Sequence, residues 1–255
     1  MNEEDRYLFD LRGYLSIENA LSECQIRNLN NIWDKHIQDE CAMHETTHRF
    51  GQLLGWGQPY VDLIDNPSIT PYLEVIIGKQ FRLDHIYADL IRTGTSPIGA
   101  KLHGGGTPFD PSQFYQFHNG KMFNGLTVVA YNLADVGPED GGFGCVSGSH
   151  KSNVDFPTEW KDMAEVLHPC ISKVFGPAGT AVIFTEALTH GALPWNGDGE
   201  RRTIFFKYSP NSISWSPTYF DEKNFKGLTE NQRSILEPPN ARPPNRNTKP
   251  KGDLD

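Results

Sequence analysis

The chain has 255 residues, with Lys+Arg 23 against Asp+Glu 32, for a formal charge of −9. A hydrophobic fraction of 37% with 11% aromatics belongs to a folded chain long enough to bury a substantial core. The acidic balance without a basic run excludes a general nucleic-acid binder, and no apolar stretch approaches the roughly 20 residues that span a bilayer. Cys24, Cys41, Cys145 and Cys170 are scattered without a CxxC pair, so neither a zinc knuckle nor a disulfide framework is indicated. The opening MNEEDRYLFD is acidic where a signal peptide would be basic and then apolar, and a cytoplasmic location is expected.

The first predicted element is a helix through SIENALSECQIRNLNNIWDKHIQ. Leu21, Ile26, Leu29, Ile32 and Trp33 recur near a 3.6 period, and Ser22 followed by Gln25 fits a capping box. Residues 45–70 mix Gly, Pro, Asn and aromatics as loops do, and a second helix is predicted over Asn66–Ile77, stopped by Gly78. The texture then changes to short β runs between turn residues: FRLDHIYADLIRTG, GLTVVAYNLADV, GGFGCVSGSH, AGTAVIFTEALTHGALPW and RRTIFFKYS. Only TEWKDMAEVL interrupts them with a helical pattern. Many short strands with Gly/Pro-rich turns predict a mainly β sandwich or barrel, with the helical part, about 1–78, packed outside. Residues 1–236 read as one domain, and 237–255, rich in Pro, Asn and charge, as an extended or disordered tail.

Of nine histidines, His36, His44 and His48 lie in polar contexts and need no special role. His103, in AKLHGGGTP, and His190, in AVIFTEALTHGALPW, each end a β run at a glycine, where a ring projects at a barrel mouth and a ligand can approach the backbone. Arg201 follows His190 across WNGDGE, a turn that predicts a hairpin returning the guanidinium towards the imidazole. A fixed guanidinium suits a carboxylate held through two hydrogen bonds.

These pieces, in this order, resemble the phytanoyl-CoA dioxygenase family of iron(II)/2-oxoglutarate-dependent oxygenases. The resemblance covers nearly the whole chain, from LFDLRGYLSIENALS through DHIYADLIRTGT, VVAYNLADVGPEDGGFGCVSGSHK and GTAVIFTEALTHG to RRTIFFKYSP. It implies a double-stranded β-helix (jelly-roll) core and a metal held by an HxD or HxE motif plus a distal His, with the other face open to 2-oxoglutarate and O2. By that pattern His103 and His190 are iron ligands, Arg201 binds the far carboxylate of 2-oxoglutarate, and His150 of GSHK is structural.

One position departs from the pattern: Gly105 stands where the carboxylate of HxD is expected. Three readings follow. Asp110 or Glu186 replaces the missing ligand; or the vacancy admits chloride or bromide, as in the non-haem iron halogenases; or the site is degenerate and binds metal poorly. His118, in QFHNGKM, also reads HxG, but His103 directly follows RTGTSPIGAKL, where the family has its first ligand. Lys101, Tyr131, Trp195, Tyr115 and His118 are further pocket candidates, against the ordinary alternatives of a solvent-facing Lys and core aromatics. GGG at 104–106 is no phosphate loop, since no helix with Lys-Ser/Thr follows it, and GxSxG is absent.

The expected function is oxidation of an aliphatic carbon of a small molecule, by hydroxylation or halogenation. The rival reading is a non-catalytic jelly-roll binding protein. A cupin-like metal isomerase would bring more His or Glu ligands from neighbouring strands than the sequence offers. Neither substrate nor oligomeric state is legible.

Overall fold

The computed structural model describes residues 1–92, 97–163 and 167–241. Helix α1 (Glu3–Arg12) opens on an Asn2–Asp5 capping box and closes on Gly13, and strand β1 (Tyr14–Ile17) follows it directly. Helix α2 (Glu23–Glu40) starts at the Ser22–Gln25 capping box expected from the sequence and buries Leu29 and Trp33. Strand β2 (Thr47–Phe50) and the short helices α3 (Gln58–Val61) and α4 (Thr70–Ile76) complete the helical part. The second helix begins later than its pattern predicts because Asn66 forms a local turn, accepting from Ser68 N while its amide donates to Ala20 O.

The β part runs through β3 (Phe81–Arg92), β4 (Tyr115–His118), β5 (Lys121–Asn124), β6 (Thr127–Asn132), β7 (Gly142–Val146), β8 (Ile171–Val174), β9 (Ala181–Thr185), β10 (His190–Leu193) and β11 (Glu200–Pro210), before α5 (Glu230–Leu236). The TEWKDMAEVL helix is not formed over its described part, where Thr158–Trp160 makes a single 3-10 turn, and residues 164–166 lie outside the described residues. Of the predicted tail, 242–255 also lies outside them. No helix among the described residues is long and apolar enough to cross a membrane.

The strands pair antiparallel in a six-stranded sheet, β1-β9-β6-β11-β3-β2, a three-stranded sheet, β10-β7-β8, and the separate β4-β5 hairpin. The two larger sheets form the jelly roll predicted from the sequence. Strand alternation then decides which side chains see which environment. Val128 and Ala130 of β6, Val182 and Phe184 of β9 and Phe205 of β11 pack inward against Phe143, Cys145 and Val174 of the smaller sheet. Their neighbours Val129, Tyr131, Ile183, Ile204 and Phe206 turn the other way, into the core shared with Phe9, Leu29, Trp33 and Leu73 of the helices.

The expected His190–Arg201 hairpin does not form. Strand β10 pairs with β7, whereas β11 pairs with β3 and β6, so WNGDGE crosses from one sheet to the other. Arg201 reaches the barrel interior through the parity of β11 instead: Arg201, Thr203, Phe205 and Lys207 share the face opposite Ile204, Phe206 and Tyr208.

Candidate metal centre

The site starts from one backbone pair. His103 N donates to His190 O and His190 N to His103 O, both at 2.9 Å, an isolated antiparallel bridge between the run before the glycines and the start of β10. Directly paired residues project to the same face of a ladder, and the two rings lie 4.3 Å apart. Each ring meets a backbone carbonyl two residues earlier through Nδ1: Lys101 O at 3.0 Å for His103 and Leu188 O at 2.7 Å for His190. A carbonyl only accepts, so Nδ1 carries the proton in both rings and both Nε2 lone pairs are free. Metal-ligating histidines are oriented by this kind of outer hydrogen bond.

Glu186, in the turn between β9 and β10, is the third member. Donor atoms of His103, Glu186 and His190 all lie within 4.8 Å of one another, with His190 Nε2 3.8 Å from Glu186 Oε2. Burial alone would raise the Glu186 pKa, but the Lys207 ammonium, its Nζ 2.5 Å from Oε1, and the neighbouring His190 outweigh it and hold the carboxyl down to about 2. Burial pushes His190 down to about 4 despite that carboxylate. An ionised carboxylate and two imidazoles that keep Nε2 off the backbone make a donor set that fits a first-row transition metal. Phe143 and Phe184 pack on the His190 ring at 5.8 and 4.8 Å and shield it from water.

The glycines after His103 shape this convergence. Gly104 has φ +76, and a Cβ there would stand 2.6 Å from Leu188 O and 2.7 Å from Glu186 O, so only glycine lets the loop lie against the backbone that carries the ligands. Gly105, at φ +123, would aim a Cβ at Thr189 Oγ1, 3.2 Å away. It borders a cavity of about 740 Å³ with Ser149, Phe156 and Thr189. His103, Glu186, His190 and Arg201 line a different cavity of about 450 Å³. Asp110 is elsewhere: its Oδ1 accepts from Ser112 N, Ser112 Oγ and Gln113 N, a local turn cap.

Arg201 is 4% exposed, and its Nε has no hydrogen-bond partner among the described residues. Burial lowers its pKa only to about 10, so it stays cationic, a fixed charge facing the cavity that holds the two imidazoles. An orphaned, buried guanidinium nitrogen is costly unless a ligand anion completes it.

The other sequence candidates lie outside this cavity. Tyr131 has the outward parity on β6 and is buried against the helices. Trp195 packs with Ile91 and Val136 and donates to Gly199 O at 3.2 Å. Lys101 is exposed and bridges to Asp162, and His118 is exposed on the β4-β5 hairpin, stacked on Phe123 at 4.2 Å. Tyr115 donates to Asp10. His150 is buried with Nε2 against Asp10 O at 3.0 Å, tying the GSHK turn to α1. Residues that sequence reasoning passed over line the cavity instead: His85, Tyr87 and Asp89 on β3, Lys207 on β11, and Arg49 and Trp215. Their signal was parity, since 85, 87 and 89 share the inward face of β3 with 201, 203, 205 and 207 of β11, but that face is defined only once the register is known.

The phytanoyl-CoA dioxygenase (PhyH) family model matches residues 84–203. That span runs from β3 to β11 and contains all three donors and Arg201. No curated protein matches the chain. Among solved structures, HygX from Streptomyces hygroscopicus with nickel and 2-oxoglutarate bound aligns with a TM-score of 0.76 and 23% identity, over 84% of this chain and 89% of that one. HygX with iron bound aligns at 0.73 and 22%, over 84% and 88%. The epimerase SnoN, in complex with Fe3+, alpha ketoglutarate and nogalamycin RO, aligns at 0.60 and 17%, over 82% and 84%. These likenesses are of fold.

Proposed function

We propose that the protein is an iron(II)/2-oxoglutarate-dependent oxygenase that oxidises an aliphatic carbon of a small molecule. His103, Glu186 and His190 would hold the metal, and Arg201 the far carboxylate of 2-oxoglutarate. The observation that carries this reading is the convergence of the His103 and His190 imidazoles and one ionised carboxylate in the cavity that also holds the unpartnered Arg201 Nε. The match of the PhyH family model and the iron- and 2-oxoglutarate-bound structures of similar fold support it.

With dioxygen, a bound iron(II)/2-oxoglutarate pair supplies an oxidant able to remove hydrogen from an unactivated carbon, releasing succinate and carbon dioxide. The chain's own part is placement. The carbonyls of Lys101 and Leu188 fix both imidazoles, Arg201 orients the cosubstrate, and Phe143, Phe184 and Phe205 keep the cavity wall dry. Tyr87 and Trp215, on the same cavity, face whatever substrate enters.

Hydroxylation is favoured over halogen transfer because Glu186 supplies the carboxylate whose loss would have left room for halide, while Gly105 faces Thr189. A soluble, cytoplasmic enzyme with a small-molecule substrate remains part of the proposal. The test is anaerobic addition of iron(II) and 2-oxoglutarate. The wild type is expected to develop a metal-to-ligand charge-transfer band that chloride does not move, and the His190→Ala protein none. A band identical in both proteins, or absent from both, would sink the reading, and a non-catalytic binding protein would then take its place.

A further inference from the structure

We infer that Lys207 is a positioning residue that confines Glu186 to one oxygen as a metal donor, an inference that rests on the metal reading above. Its Nζ lies 2.5 Å from Glu186 Oε1, while Oε2 is the oxygen that faces His190 Nε2 at 3.8 Å. The two carboxylate oxygens therefore have separate partners before any ion arrives. Glu186 and Lys207 are 4% and 9% exposed, so solvent does not compete for either.

The position of Lys207 is set by the sheet. It pairs with His85 on one side and Val128 on the other, at the point where the β11-β3 register shifts. Asp84, the extra β3 residue at that shift, accepts from Trp215 N at 2.9 Å and Ser216 N at 3.0 Å and pairs with Arg82 and His85. The ammonium also stands over the Tyr87 ring at 5.2 Å. Backbone pairing and a pinned neighbour thus fix where the charge meets Glu186.

Folding alone does not call for this pair, since a buried ion pair often stabilises no better than apolar residues of the same volume. At a metal centre it has a specific consequence. A carboxylate with both oxygens free can grip an ion through two donors and take up a position that a chelating keto acid needs. With Oε1 engaged by the ammonium, Glu186 offers Oε2 only, and open positions remain. The cost is a positive charge next to a cation site, which weakens metal binding.

Opposite effects on metal and cosubstrate follow, which a merely structural role would not produce. The probes are calorimetric titration of nickel(II) into the apoprotein, and of 2-oxoglutarate into the nickel-loaded protein, for the wild type, Lys207→Met and Lys207→Gln. For Lys207→Met, nickel is expected to bind roughly tenfold or more tightly, because a like charge is gone, and 2-oxoglutarate roughly tenfold more weakly. Lys207→Gln keeps a donor for Oε1 without the charge, and should bind nickel more tightly while holding 2-oxoglutarate within about threefold of the wild type. It also carries the test if Lys207→Met does not fold. The inference is overturned if both affinities fall together in either variant, if neither changes, or if Lys207→Gln loses 2-oxoglutarate as strongly as Lys207→Met, which would mean that the charge acts on the cosubstrate directly. A wild type whose nickel binding survives His190→Ala would instead remove the metal reading, and this inference with it.

Discussion

Two clusters of three metal-ligand residue types stand out among the described residues, and they differ in how far their donors are already engaged. In His103, Glu186 and His190 the carboxylate is ionised, both imidazoles present a free Nε2, and Nδ1 is spent on backbone carbonyls. In Cys41, Glu45 and His48 the donors satisfy each other. Glu45 Oε2 accepts from Ala42 N at 3.0 Å and meets His48 Nδ1 at 3.2 Å, burial and Glu45 push the Cys41 thiol up, and Arg92 Nη1 stands 3.8 Å from its sulfur. Two members of this second cluster fall in the sequence spacing His44-Glu45-x-x-His48, which on a helix would put two imidazoles on one face. Here that segment runs through a turn into β2, so the spacing carries no such geometry. Donor identity does not make a site; donors left unsatisfied by the fold do.

The largest expected effect breaks the first cluster. His190→Ala or Glu186→Ala should weaken nickel(II) or iron(II) binding by more than the roughly 100-fold that loss of an outer partner alone can cost, read by anaerobic calorimetry. A buried imidazole in neither cluster sharpens the contrast through pH. His150 is pushed down to about 4 by burial, reinforced by Lys151, against an unfolded value of 6.5. Its neutral form is the one the fold accepts, so its contribution is complete above about pH 6.5. As pH falls towards 4 the unfolded chain takes up a proton that the folded one refuses, and up to about 3 kcal/mol is lost. Denaturant melts at pH 7 and 4.5 should show this loss, and His150→Gln should reduce it.

A smaller effect separates cosubstrate from metal. Arg201→Ala should weaken 2-oxoglutarate roughly 30-fold, the size of a lost charge-assisted hydrogen bond, and leave nickel affinity nearly unchanged. Gly104→Ala should cost about 1–3 kcal/mol in thermal stability, because its Cβ meets the Leu188 and Glu186 carbonyls at a positive φ, and should loosen metal binding with it. The smallest effect belongs to the second cluster: Cys41→Ser and His48→Ala should leave the metal-to-protein ratio at its wild-type value.

The jelly roll was legible because many short β-forming runs recur between turns rich in glycine and proline, and His103 and His190 stood out because each ends such a run at a glycine. Glu186 remained one of several alternatives, since a separation of four residues implies proximity only once the turn between β9 and β10 is known. Tyr131 read as a pocket residue because β6 is buried on both faces, which erases the polar alternation that would have shown its parity. The hairpin assumption after His190 failed for a related reason. WNGDGE is an ordinary turn sequence, and nothing local shows that its flanking strands belong to different sheets. Lys207 was invisible in RRTIFFKYS, where a Lys reads as solvent-facing until β11 is seen to be covered on both sides.

Anomalous diffraction from crystals grown with nickel(II) and 2-oxoglutarate under anaerobic conditions reaches the whole account at once. The expected result is a single ion touched by Nε2 of His103, Nε2 of His190 and one oxygen of Glu186, with the cosubstrate's far carboxylate on Arg201. An ion held by Asp110, or by Cys41 with His48, or coordinated by the two imidazoles without Glu186, would contradict it.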